Sequence, residues 1–174
     1  ALHLHLVADI ARRYYAEAIS PPPNDAERSD LMRYYGKKLV AACNGLPEET
    51  LYLVCLDNNL REICTDRIST GAPNAVQLPG RRIAELALRH HAPSILLAHN
   101  HPRGIAIPSR EDISATLSLR DALRTISIDL IDHFIIAGND YVSMAQSGFF
   151  SSSARQAFAL RSPEDGTDFD FLTE

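Results

Sequence analysis

The chain has 174 residues, a mass of 19.2 kDa and a net charge of −5, and 45% of its residues are hydrophobic. These values suit a globular domain of about 100–150 residues with extensions, and they exclude a wholly disordered or collagen-like chain. The apolar runs are much shorter than the roughly 20 residues of a membrane span, and we identify no signal peptide. An acidic balance without basic blocks argues against nucleic acid as a partner, because phosphate contacts supply most of that affinity.

Three cysteines, Cys43, Cys55 and Cys64, lie in or beside apolar stretches and lack CxxC spacing. This pattern favours buried free thiols over a disulfide framework. Free thiols are typical of a reducing compartment, so we expect a cytoplasmic protein.

The N-terminal part of the chain predicts two helices. Apolar residues recur at helical spacing over residues 7–18, and prolines 21–23 end that helix because a proline run cannot continue it. A polar linker covers residues 24–28. A second helix is predicted from Ser29 as N-cap to the stop signal Asn44-Gly45. Its apolar stripe consists of Leu31, Met32, Tyr35, Leu39 and Cys43.

The rest of the chain alternates strands with helices. Residues 50–56 and 60–67 predict an antiparallel hairpin, and residues 133–137 and 141–143 predict a second one. Helices are predicted over 81–91 and 109–124. The continuous apolar run 94–99 is typical of a central strand covered on both faces. We therefore predict an α/β fold with a mixed, partly antiparallel sheet and helices packed on it in layers.

One short segment, residues 99–112, carries a candidate metal site. His99 ends the apolar strand and His101 follows two residues later, so an extended chain projects both rings to the same side. Asp112 lies in the first turn of the helix that Ser109 begins, and its carboxylate can turn back toward the imidazoles. Two imidazoles and one carboxylate leave one tetrahedral position for water, which is typical of catalytic zinc.

A simpler interpretation uses the same residues. Ser109 and Asp112 fit the S-x-x-D helix capping box, and the two histidines could hydrogen-bond locally at the strand end. The combination of H-x-H, seven residues and S-x-x-D after a buried strand favours the metal site, because it is more specific than either motif alone.

The combined pattern resembles the JAMM motif of the JAB/MPN metalloprotease superfamily. The segments LDNN, STGAPNAV, LLAHNHPRGIAIPSREDI, DHFIIAGNDYVSM and GFF look like the bacterial RadC family, and the similarity covers residues 29–150. Residues 2–19 resemble the last helix of the helix-hairpin-helix module that precedes this domain in the family. We expect a remnant of that module with its linker over 1–28, a RadC-like JAB/MPN domain over 29–150, and an acidic, disordered tail over 151–174.

The resemblance implies a cofactor and roles for individual residues. His99, His101 and Asp112 match the metal ligands, and the expected cofactor is Zn²⁺. Ser109 matches the serine that stabilises a tetrahedral oxyanion.

The general base of the superfamily is an upstream glutamate, and here the sequence departs from the pattern. An ungapped alignment from Asp57 to Gly71 and on to Arg81 places Asp66 at that position. Aspartate can transfer the same proton, but its side chain is one methylene shorter. Glu62, expected on the same strand face, is the alternative base.

Two further departures concern the surroundings of the motif. Arg103 stands where the RadC pattern has a small serine, so it either narrows the cleft, binds a substrate carboxylate or is simply solvated. His133 follows Asp132 and matches an Asp-His pair of the family, and we expect a structural role for it.

These expectations together predict a zinc-dependent JAMM-type hydrolase that cleaves a peptide or isopeptide amide in a peptide or protein substrate. A zinc-containing binding or scaffold protein with little activity is one alternative, and a DNA-repair accessory is another. The sequence predicts no particular oligomeric state.

Overall fold

The computed structural model describes residues 2–70 and 78–151, which form four helices and five strands. The predicted tail, apart from Ser151, lies outside the described residues. The helices are α1 (Leu2–Glu17), α2 (Arg28–Cys43), α3 (Gly80–Arg89) and α4 (Arg110–Arg124). The strands are β1 (Thr50–Leu56), β2 (Glu62–Thr70), β3 (Ser94–Asn100), β4 (Asp129–Ala137) and β5 (Asp140–Ser143).

The strands form one sheet in the order β2-β1-β3-β4-β5. The neighbours β3 and β4 are parallel, and the other described pairs are antiparallel. Helix α4 connects the two parallel strands, as parallel pairing requires a crossover. The predicted mixed α/β sheet and its two hairpins are thus confirmed.

Strand β3 is the centre of the core, and all seven of its residues are buried. Ile95 and Leu97 pack with residues of α3 and α4 on one face of the sheet, and Leu96 and Ala98 pack with residues of α2 on the other. Each large apolar side chain buried in this way contributes about 1.5–3 kcal/mol. The end of β3 is therefore a rigid support for the residues that follow it.

Two predicted helix boundaries are wrong by one or two residues. The carbonyl of Glu27 accepts the N–H groups of Asp30 and Leu31, so Glu27 is the N-cap of α2 and Ser29 already lies inside the helix. Helix α3 ends at Arg89 rather than at residue 91, because His91 has a left-handed backbone with φ 51°. The predicted apolar stripe of α2 is buried as expected.

The N-terminal helix α1 packs against α2, with Ala16 buried and the Arg12 guanidinium 3.4 Å from the Asn44 carbonyl oxygen. Its residues Val7, Ile10 and Tyr14, which carry the predicted helical pattern, are exposed. The helix ends before the prolines, as predicted.

All three cysteines are free thiols, as predicted. Cys43 and Cys55 are buried, whereas Cys64 is half-buried because β2 is the edge strand of the sheet. Within residues 2–70 and 78–151, no helix has the length and hydropathy needed to cross a membrane.

Gly36 of α2 allows the ring of Tyr141 to pack closely on this helix. A Cβ added to Gly36 would lie 2.3 to 2.8 Å from three atoms of that ring. We expect Gly36→Ala to lower the free energy of unfolding by about 1–3 kcal/mol, because the ring must move away from Phe134, on which it packs edge to face. Denaturant titration measures this cost. An equal cost in a Tyr141→Ala background would contradict the explanation.

Candidate metal centre

Two adjoining segments build the candidate centre, the end of β3 and the start of α4. His99 lies in β3, between Leu51 of β1 and Ile135 of β4. His101 follows the strand, and its backbone N–H donates to the Ile136 carbonyl at 2.7 Å. Asp112 lies in the first turn of α4.

The three predicted ligands converge on one point. The Nε2 atoms of His99 and His101 are 2.9 Å apart. The Asp112 carboxylate oxygens lie 3.3 Å from His99 Nε2 and 3.5 Å from His101 Nε2. Ligand atoms around a tetrahedral zinc, at bond lengths of about 2.0–2.1 Å, are about 3.3 Å apart. Both the donor types and their spacing therefore fit Zn²⁺.

The ring orientation of His101 is fixed by the loop that follows it. Its Nδ1 lies 3.0 Å from the carbonyl oxygen of Ile105. A carbonyl can only accept, so Nδ1 carries the proton and Nε2 presents its lone pair. This tautomer is the one that a metal-binding Nε2 requires.

His99 is oriented by a buried chain of hydrogen bonds. Its Nδ1 lies 2.9 Å from His133 Nε2, and His133 Nδ1 lies 2.7 Å from Thr116 Oγ1. Burial lowers the pKa of His133 well below its usual value, so this fully buried ring is neutral. With His133 donating to Thr116 and accepting from His99, the Nε2 atom of His99 is free to bind a cation. Such outer partners orient metal-binding histidines in many proteins.

The helix cap and the candidate ligand are the same carboxylate. Ser109 Oγ accepts from the Asp112 backbone N–H at 3.0 Å, and Asp112 Oδ2 accepts from the Ser109 N–H at 2.8 Å and the Ser109 hydroxyl at 2.6 Å. Burial raises the pKa of Asp112, but hydrogen bonds with His101, His99 and Ser109 outweigh it, so the pKa lies well below its usual value. The capping interpretation therefore does not compete with the metal site, since the cap holds an ionised carboxylate against the two rings.

Neither predicted base contacts the three ligands in this structure. Leu53 of β1 pairs with Asp66 of β2 on one side and with Leu97 of β3 on the other, so strand β1 separates Asp66 from β3. Along the strands, Asp66 is level with Leu97, which precedes His99 by two residues. Its carboxylate lies 3.9 Å from Cys64 Sγ and 4.0 Å from His90 Nε2. Asp66 as the base stays a prediction.

The expectation that Glu62 shares a face with Asp66 is wrong. Cys64 pairs with Cys55 and Glu62 pairs with Leu56, so Ile63 between them is a bulged residue without an opposite partner. This extra residue turns the Glu62 side chain to the other face of the sheet. Glu62 forms an ion pair with Lys38 of α2 and accepts from Thr65 on the face opposite the candidate centre.

Glu49, which the sequence reasoning missed, is a carboxylate that the structure places beside the centre. Leu51 of β1 pairs with His99, and the side chain of Asn100 bonds the backbone on either side of Glu49, accepting from the Thr50 N–H and donating to the Glu48 carbonyl. Glu49 is half-buried. The hydrogen bond with Asp112 is the main reason that the pKa of His101 is raised, and the charge of Glu49 acts in the same direction.

Each missed residue had a signal in the sequence. Glu49 directly precedes a clear strand, but an alignment that runs forward from Asp57 does not reach it. Thr116 follows Asp112 by four residues, which places both on one face of α4.

Arg103 lies exposed in the loop between the two ligand segments.

Comparison with known proteins identifies the domain. A family model described as a RadC-like JAB domain matches residues 26–149. The chain belongs to this family. It is 32% identical over 142 residues to a UPF0758 protein of Alcanivorax borkumensis, 34% over 145 to one of Pseudomonas syringae pv. tomato, and 32% over 148 to one of Vibrio cholerae. These matches cover 80%, 83% and 85% of this chain but 61%, 63% and 64% of the relatives. The chain thus spans less than two thirds of the length of these curated relatives.

The buried chain from Thr116 to His99 predicts an effect on metal affinity. Without the Thr116 hydroxyl, His133 Nδ1–H loses its acceptor, which favours the tautomer that protonates His99 at Nε2. We expect Thr116→Val to weaken Zn²⁺ binding by about 10–100-fold and Thr116→Ser to restore it. Competition with a chelating dye measures the affinity. Equal losses in Thr116→Val and in Thr125→Val, a change at the exposed end of α4, would contradict this role.

Proposed function

We propose that this JAB domain is a zinc-dependent hydrolase that cleaves a peptide or isopeptide amide. The observation that supports it most is the convergence of two Nε2 atoms and one carboxylate at 2.9 to 3.5 Å, each ligand oriented by its own hydrogen-bond partner. A three-ligand zinc site leaves one position for water or substrate, as catalysis requires.

The chain's own residues would divide the work as follows. His99, His101 and Asp112 would hold Zn²⁺. The bound ion supplies Lewis acidity, which lowers the pKa of a water molecule toward about 7 and polarises a carbonyl. The exposed Ser109, whose hydroxyl donates to Asp112 in this structure, would have to turn from Asp112 to donate to the oxygen on which negative charge develops.

A carboxylate beside the centre would move the proton. It would take a proton from the attacking water as the new C–O bond forms, and would then give that proton to the leaving nitrogen as the C–N bond breaks. We propose Glu49 for this role, because it is half-buried, its backbone neighbours are bonded to Asn100, and its charge acts on His101. Asp66, the base expected from the sequence, would have to leave Cys64 and His90 to reach the same place.

The substrate class and the compartment are part of the proposal. Ile105 and Ile107, beside His101, are 67% and 44% exposed and offer an apolar surface for a peptide or protein. The three free thiols fit a cytoplasmic location.

The metal site predicts the zinc content of the protein. We expect the wild-type chain, purified without chelators or a metal-affinity tag, to contain at least one Zn²⁺, and the His99→Ala/His101→Ala variant to contain one equivalent less. Elemental analysis measures both. The control is His91→Asn, which changes an exposed histidine away from the centre. Equal zinc in all three proteins would leave Ser109 and Asp112 as a helix cap and would overturn the proposal.

The proposed role of Glu49 as general base can be tested by measuring the turnover of a library of fluorogenic peptides and isopeptides. We expect Glu49→Gln to lower turnover by about 100- to 10,000-fold with zinc content unchanged, because it removes the proton acceptor alone. The exposed neighbour Glu48 provides a matched control, since Glu48→Gln removes a charge at the adjacent position.

One further variant and two further outcomes test the alternatives. If Asp66→Asn abolishes turnover and Glu49→Gln does not, the base is Asp66. Zinc without turnover on any substrate of the library would favour the binding or scaffold protein. Duplex DNA binding that weakens steeply with salt would favour the DNA-repair accessory.

A further inference from the structure

A second group of metal-ligating side chains lies on the same face of the sheet, at its edge. Cys64 and Asp66 are neighbours on this face of β2, and His90 is the C-cap residue of α3. Asp66 Oδ2 lies 3.9 Å from Cys64 Sγ and 4.0 Å from His90 Nε2. One ligand atom from each residue lies within 4.8 Å of the other two. None of these three residues belongs to the candidate centre at the end of β3.

The spacing is close to that of an occupied zinc site. In tetrahedral coordination, with Zn–S near 2.3 Å and Zn–O or Zn–N near 2.0 Å, a sulfur–oxygen edge is about 3.5 Å and an oxygen–nitrogen edge about 3.3 Å. The observed distances of 3.9 and 4.0 Å therefore require contractions of about 0.4 Å and about 0.7 Å, respectively. The side chains are 43% exposed at Asp66 and 32% exposed at His90, so rotation of these two groups can supply it.

The buried residue Cys55 adds an independent observation. Cys55 of β1 pairs directly with Cys64 across the ladder, so its buried side chain lies beside that of Cys64 on the same face of the sheet. A thiol in this position can donate to a ligand sulfur, as the outer partners of thiolate metal sites do. Cys55 itself is fully buried and would support the site from behind.

We propose that Cys64, Asp66 and His90 form a second binding site, for a thiophilic divalent cation such as Zn²⁺. The ligand set of one thiolate, one imidazole and one carboxylate suits Zn²⁺ and discriminates against Mg²⁺ and Ca²⁺, which prefer oxygen ligands alone. The edge position of β2 gives the cation access from solvent, and a water molecule can occupy the fourth position. The site does not depend on hydrolytic activity of the centre at His99.

The sulfur ligand makes the two sites distinguishable with Co²⁺. Thiolate ligation to Co²⁺ produces a charge-transfer band in the near ultraviolet, whereas a site of two histidines and an aspartate has no sulfur to produce it. We expect the metal-free, fully reduced chain to develop this band on titration with Co²⁺. The His99→Ala/His101→Ala variant should develop it as well, because that variant keeps all three ligands of the second site.

Variants of the second site should remove the signal. We expect Cys64→Ser to abolish the band and His90→Asn to weaken the apparent Co²⁺ affinity by about tenfold or more. Cys43→Ser is the matched control, since Cys43 is a buried thiol of α2 on the other face of the sheet and its loss should leave the band intact. Circular dichroism establishes that each variant is folded.

Elemental analysis gives a second readout. After equilibration with excess Zn²⁺ and removal of the free ion, the wild-type chain should hold one equivalent more than Cys64→Ser. Absence of a thiolate band from the folded wild-type chain, or a band that survives Cys64→Ser, would overturn the proposal. Zinc loss in the His99→Ala/His101→Ala variant reports on the first centre alone, so failure of one site does not imply failure of the other.

Discussion

The buried hydrogen bond between His99 and His133 is the interaction on which the candidate centre depends most. A histidine on a strand end can protonate either nitrogen, and only the Nδ1–H form presents Nε2 to a cation. When Nε2 of His99 faces a cation, its Nδ1–H donates to His133 Nε2, and the neutral ring of His133 donates its own Nδ1–H to Thr116 Oγ1. The cost of burying a polar ring is offset by satisfying both of its nitrogens. His133, for which the sequence predicts a structural role, is therefore placed to orient the candidate ligand His99.

The sheet makes this arrangement possible because its centre is rigid. Every residue of β3 is buried between helices on both faces, so His99 leaves the core at a fixed point. The capping box fixes Asp112 from the other side, at the start of α4. A single strand-loop-helix segment thus contains all three candidate ligands, while Glu49 directly precedes the neighbouring strand β1 and His133 lies in β4. A site built on regular elements in this way is held more tightly than one built on loops.

The sequence predicted the parts of this structure that follow from local pattern. The sheet and its hairpins follow from apolar runs and turn residues, which are local features of the chain. The convergence of His99, His101 and Asp112 follows from their short spacing in the sequence. The face of Glu62 could not be predicted, because one bulged residue, Ile63, reverses every side chain before it. The place of Glu49 depends on the pairing of β1 with β3, which brings together residues about 50 positions apart. Which residues of two distant strands face each other depends on the tertiary structure and cannot be predicted from the periodicity of one segment.

The two groups of ligands on this face differ in how far they are prepared for a cation. At the first centre the candidate ligand atoms already lie 2.9 to 3.5 Å apart, and His99 is buried. At the sheet edge the distances are 3.9 and 4.0 Å, and two of the side chains must give up rotational freedom on binding. Preorganisation raises affinity by reducing that cost. The first centre should therefore fill before the second, and the second should respond to changes in free metal concentration that leave the first one saturated. In this structure Asp66 lies at the sheet edge beside Cys64 and His90, whereas Glu49 acts on His101 itself.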